Sequence, residues 1–204
     1  STFPKAVLQT LWECNPETHA LHQACQNKNI TLEAVQLLVE QRPESVEEVD
    51  ESKPWSSQLT PLHLAILKNL SSDILRFLFE TYPKAVEYRD ADGHLALLET
   101  IWCLEDVKLF QEIVLAVRDV LKEPSTIGGQ LVLHRLCAYV ASSEIVKWVV
   151  EQYPTAVRTK SDAGLLPHHL VRDVASAKCL IRVYPEGLGV PDNEGNLPLH
   201  RICH

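Results

Sequence analysis

The stretch Leu59-Thr60-Pro61-Leu62-His63-Leu64-Ala65 constrains this chain more than any other, because weaker copies of it recur along the whole sequence. They read Ala20-Leu21-His22-Gln23-Ala24, Val132-Leu133-His134-Arg135-Leu136, Pro167-His168-His169-Leu170 and Pro198-Leu199-His200-Arg201. A sixth, Leu97-Leu98-Glu99, keeps the leucine and has lost the histidine. With His22, His63, Glu99, His134, His169 and His200 taken as equivalent, the steps are 41, 36, 35, 35 and 31 residues. A fixed period of that length means one supersecondary unit used over and over, each copy burying its apolar face on its neighbours.

A second marker keeps the same beat. It reads Phe3-Pro4-Lys5-Ala6-Val7, Arg42-Pro43-Glu44-Ser45-Val46, Tyr82-Pro83-Lys84-Ala85-Val86, Tyr153-Pro154-Thr155-Ala156-Val157 and Tyr184-Pro185-Glu186-Gly187-Leu188. Between Ser71–Val86 and Ser142–Val157, eight of sixteen positions are identical. Proline disfavours helical geometry in the residue before it and cannot donate to a helical ladder, so each Tyr-Pro predicts the end of a helix. Hydrophobic spacing predicts helix pairs near 19–28 and 32–41, 60–69 and 72–81, 95–104 and 106–122, 131–140 and 143–152, and a shortened pair at 167–172 and 174–183.

Thr60-Pro61-Leu62-His63-x-Ala65, set in this period, resembles the opening signature of the ankyrin-repeat family, and the resemblance covers nearly the whole chain. It implies an all-α, ankyrin-like helical repeat solenoid of about five repeats forming a single domain. The repeats are placed at about 17–57, 58–93, 94–129, 130–164 and 165–195, with partial units at 1–16 and 196–204. The long period and the Tyr-Pro-x-Ala-Val exit in place of a glycine turn depart from the family pattern. The resemblance also implies that His22, His63, His134, His169 and His200 hydrogen-bond backbone groups at the hairpin tips.

Composition bounds the function. Net charge is -8, and it is uneven: residues 1–102 hold 15 acidic and 8 basic side chains, residues 103–204 hold 12 and 11. That excludes nucleic acid, which demands a basic stripe, and favours a basic partner for the first half. No run is apolar enough to span a membrane, and no signal peptide opens the chain. Cys14, Cys25, Cys103, Cys137, Cys179 and Cys203 lack framework spacing and read as reduced thiols of a cytoplasmic or nuclear protein. The chain has no methionine and stops four residues after a signature begins, so it reads as a segment of a longer protein.

Little points to catalysis, and the chain is read as a non-enzyme without cofactor. Gly187-Leu188-Gly189 is a lone Gly-x-Gly with no strand before it. The pairs His22/Cys25, His134/Cys137 and His200/Cys203 could each supply two zinc ligands, but a structural site wants four and each pair lies in a different repeat. Tyr88-Arg89-Asp90-Ala91-Asp92-Gly93, followed by Glu99, imitates a calcium loop with tyrosine where the first carboxylate belongs.

Binding is the expected function: a protein–protein interaction module that presents a concave helical face and hairpin tips to a protein partner. The alternatives are a non-catalytic segment of a larger enzyme, a structural subunit of an assembly, or a His/Cys metal or redox module. Carried over from the family, the outward positions are Gln23, Gln26 and Asn27, then Leu64, Leu67 and Lys68, then Arg135, Ala138 and Tyr139. Leu64 and Leu67 would give an apolar contact. The acidic insertion adds Glu47, Glu48 and Trp55, tryptophan being over-represented where interface energy concentrates.

Overall fold

The structure, a computed structural model, describes residues 20–49, 59–89, 95–117, 119–125, 128–139 and 142–202. Their regular elements are helices and 3-10 turns, and the chain divides into two compact units, Ser1–Ala96 and Leu97–His204.

The first unit contains two helix pairs. In the first, α1 (Ala20–Gln26) packs on α2 (Leu32–Gln41); in the second, α3 (Pro61–Leu67) packs on α4 (Ser72–Thr81), and α1 lies against α3. Thr31 caps α2 with its hydroxyl on the Ala34 amide. Pro61 stands in the first turn of α3, where its missing N–H would have had no helical partner. Buried Ala34, Val35, Leu38 and Val39 in α2, and Ile74, Leu75 and Leu78 in α4, show the inward stripe expected of helices that bury one face.

The second unit holds α5 (Val107–Ala116), α6 (Val132–Ala138), α7 (Ser143–Gln152), α8 (Val174–Val183) and the short α9 (Pro198–Ile202). Helix α6 packs on α7 and α7 on α8. Asp106, Ser142 and Asp173 cap α5, α7 and α8.

The Tyr-Pro rule holds wherever the structure describes it. Helices α2, α4, α7 and α8 stop before Arg42, Tyr82, Tyr153 and Tyr184, whose backbones agree closely at φ/ψ of -142/82, -139/77, -139/75 and -146/76. Each following proline opens a short 3-10 turn whose inward residue (Val46, Val86, Val157) is buried in the first three.

Two expected first helices are shorter than the spacing suggests. Residues 95–104 form two 3-10 turns, Ala96–Glu99 and Ile101–Cys103, closed by i→i−3 bonds such as Thr100 N to Leu97 O at 3.0 Å. Consecutive β-branched Thr100 and Ile101 are poor helix formers at the break. Its partner α5 ends at Ala116 rather than 122. In the 31-residue repeat, Pro167–His169 makes one 3-10 turn, because Asp173 caps α8 only four residues later.

Candidate protein-binding surface

The tips and the histidines supply the rigid frame. Tip Ser161–Leu165 closes with Ser161 N to Leu165 O at 2.9 Å, and Asp192–Asn196 closes in the same way. Neighbouring tips are tied to each other: Asp162 N donates to Gly128 O, Asn193 N to Ala163 O and Asn193 Nδ2 to Asp162 O. Gly164 serves this contact twice, through its φ of +75° and because a Cβ there would sit 2.3 Å from Asn193 Oδ1. Asp192 is fully shielded and accepts from Glu194 N, Asn196 N and Arg201 Nε. Desolvation opposes its charge, but Arg201 and those amides hold its pKa down at about 2.

Three of the signature histidines, His22, His134 and His169, span two repeats. Nε2 of His22 donates to Leu59 O, that of His134 to Leu165 O and that of His169 to Asn196 O, always four residues before the next signature position. Nδ1 accepts from the backbone of Leu131, Leu166 and Leu197 in His134, His169 and His200. His63 differs: its Nδ1 shares a hydrogen bond with the Thr60 hydroxyl at 2.8 Å, and its Nε2 has no partner. Burial lowers the pKa of His63 and His134 to about 4, so both stay neutral at physiological pH.

On this frame, α1 and α3 lie side by side and present equivalent positions. Gln23, Gln26 and Asn27 are exposed on α1 and its end, Leu67 is 40% exposed on α3, and Leu64 and Lys68 are half-buried. The expectation of two exposed leucines is therefore corrected for Leu64, which partly packs into the stack.

In the second unit Tyr139 is exposed, but Arg135 is only 8% exposed and does not face outward as expected. The segment after α5 folds over α6, and Arg135 Nη2 donates to Ser125 Oγ at 3.4 Å. Ala138 is half-buried. Glu47 is exposed, whereas Glu48 is half-buried and ion-paired with Arg42 at 2.5 Å. Trp55 and the calcium-like Asp90 to Gly93 lie outside the described residues.

Chemistry finds little footing. Burial pushes the Cys25 thiol up to about 12, the Cys103 thiol up to about 11, and Cys137 higher still, against the low values a nucleophilic thiolate needs. His22 and His134 spend Nε2 on backbone carbonyls. Among the described residues no three metal-ligating side chains converge, and no helix is long and apolar enough to cross a membrane.

One feature escaped the sequence reading. His168 stands where Leu21, Leu62 and Leu133 stand in other repeats, and Gly187 where Ser45, Ala85 and Ala156 stand. The His168 ring is buried, neither ring nitrogen has a partner in hydrogen-bonding geometry, and its edge meets Tyr184 at 5.9 Å. Arg158 covers the Tyr184 ring at 4.7 Å. A Cβ at Gly187 would lie 2.7 Å from His168 Cε1. The two departures from the repeat compensate each other, and aligning the copies side by side would have revealed the pair.

Comparison with known proteins agrees with this architecture. Residues 4–92 match the family model described as ankyrin repeats (3 copies). No curated protein sequence matches the chain. Among solved structures, the chain resembles one in the complex of the predatory endopeptidase Bd0816 from Bdellovibrio bacteriovorus with immunity protein Bd3460. That likeness has a TM-score of 0.67 at 18% identity, covering 91% of each chain. The ankyrin repeat domain of Bcl-3, of the IkappaB protein family, aligns at a TM-score of 0.45 and 18% identity, over 88% of this chain and 91% of that one. Residues 4–92 carry ankyrin repeats, and the rest of the chain repeats the same signature, paired helices and histidine bonds between successive repeats.

Proposed function

We propose that this chain is a protein-interaction module whose contact surface in the first unit is built from the ends of α1 and α3. Ankyrin repeats generally bind proteins, and the fold is typically non-catalytic. The observation that carries the reading is Leu67, a large apolar side chain held in the open among exposed Gln23, Gln26 and Asn27. An apolar centre with a polar rim is the composition of a protein contact, and helices already fixed by packing lose little entropy when they bind. Glu47, and Glu48 if it exchanges Arg42 for an incoming cation, favour a partner with a basic patch. Trp55 is proposed as an anchor on the same insertion, and Tyr139 as a contact of the second unit.

The test is affinity capture from native extract with crosslinking mass spectrometry, comparing wild type, Leu64→Glu/Leu67→Glu and Trp55→Ser. A partner crosslinked to α1 or α3 and lost with the double variant is the expected result. Equal capture by all three correctly folded proteins would remove α1 and α3 from the interface.

A further inference from the structure

The histidine bond that ties one repeat to the next is broken twice around the third repeat. His22, His134 and His169 donate Nε2 to Leu59 O, Leu165 O and Asn196 O, each four residues before the next signature position. The same rule would pair His63 with Leu95 O and position 99 with Gln130 O. In the first unit, Nε2 of His63 is buried and has no partner among the described residues. In the second unit, position 99 holds glutamate, and an ionised carboxylate accepts hydrogen bonds without donating any.

A second observation falls on the same residues. Where Pro61–Leu67 and Val132–Ala138 are α-helix, residues 96–103 are the two 3-10 turns Ala96–Glu99 and Ile101–Cys103, whose hydrogen-bond geometry is poorer. A 3-10 turn alone does not set this repeat apart. The fifth repeat also reduces its first helix to one such turn, Pro167–His169, but there both histidine bonds are made, His134 to Leu165 O and His169 to Asn196 O.

We propose that residues 95–104 are a built-in opening point, a segment that unfolds locally and reversibly while α3, α4, α6 and α7 stay folded. Each neutral hydrogen bond shifts an opening equilibrium roughly fivefold, so two missing bonds raise the open population about 25-fold. The buried, unpartnered His63 nitrogen weighs further against the closed form. Leu97, Leu98 and Ile101 are buried when the segment is closed, so its opening uncovers an apolar strip inside the array. The segment shares no residue with the α1–α3 patch, so either proposal can fail alone.

Hydrogen exchange with mass spectrometry on the full chain, in rising sub-denaturing urea, tests it. The reporters are the amides of Thr100, Cys103 and Leu104, and the 3-10 comparators are those of His169 and Leu170. After correction for intrinsic rates, residues 95–104 should exchange about 25-fold faster than 165–171. Their exchange should respond little to urea, since a local opening exposes little surface. Glu99→His and the isosteric Glu99→Gln each supply an N–H donor and should slow exchange in 95–104 by about fivefold. His134→Asn keeps an acceptor for Leu131 N but is too short to reach Leu165 O, so it should speed exchange in 165–171 by about fivefold. Equal protection of the two stretches in the wild type would overturn the proposal. So would a urea dependence in 95–104 as steep as that of α7, because the segment would then open only with the whole array. If both Glu99 variants fold by far-UV circular dichroism and neither slows exchange, the missing bonds are not the cause and the proposal fails.

Discussion

Gly187 and His168 should behave as a coupled pair, and the coupling can be sized from the structure. In Gly187→Ala the new Cβ would lie 2.7, 2.9 and 3.0 Å from Cε1, Nε2 and Nδ1 of His168. The ring is 2% exposed and edged by Tyr184, so it has no free space in which to retreat. Overpacking of this kind costs about 1–3 kcal/mol. The backbone is not the obstacle, because Gly187 lies outside the left-handed region. With His168→Leu in place, the same alanine recreates the Leu62/Ala85 and Leu133/Ala156 combinations. There it should gain about 0.4–1 kcal/mol by restricting the unfolded chain. The cycle therefore closes with an interaction energy of about 2 kcal/mol. Hydrogen exchange with mass spectrometry over residues 166–190 of the four proteins reads it locally. It thereby avoids assuming that an array of repeats unfolds in one step. If Gly187→Ala changes protection by the same amount in both backgrounds, the steric reasoning is refuted.

Acid should loosen the chain in a defined window. His63 and His134 have pKa values lowered from 6.5 to about 4, so the unfolded state binds protons that the folded state refuses. Stability is full above pH 6.5, falls by ~1.4 kcal/mol per pH unit per histidine as the pH drops toward 4, and levels off below. Urea titrations across that range check it, and a flat profile would contradict the burial. Thr60→Val removes the partner of His63 Nδ1 and should destabilise by about 1–3 kcal/mol in urea unfolding. Asn69→Val should cost about 1–2 kcal/mol, because Asn69 holds φ at +52°, where a β-branched side chain collides with the backbone; Asn69→Gly should not.

Part of the candidate site was legible beforehand. Gln23, Gln26, Asn27 and Leu67 follow from helical spacing after a signature histidine, because a position three or four residues along a helix is a matter of local geometry. Leu64 and Arg135 share that register with Gln23 and do not share its exposure. Exposure depends on what crosses the position from elsewhere, and for Arg135 that is the segment bearing Ser125.

The sequence by itself determined the repeat frame and the ends of α2, α4, α7 and α8, because a proline acts on its neighbours' backbone without help from distant contacts. It also located the histidines that join successive repeats. Tertiary structure decided what each repeat does with that frame. Residues 95–104 tighten into 3-10 turns, and His168 takes the place of a leucine because Gly187 leaves room for its ring. Equivalent repeat positions such as Gln23, Leu64 and Arg135 are open, half-buried or buried according to what lies across them, which depends on atoms distant in sequence.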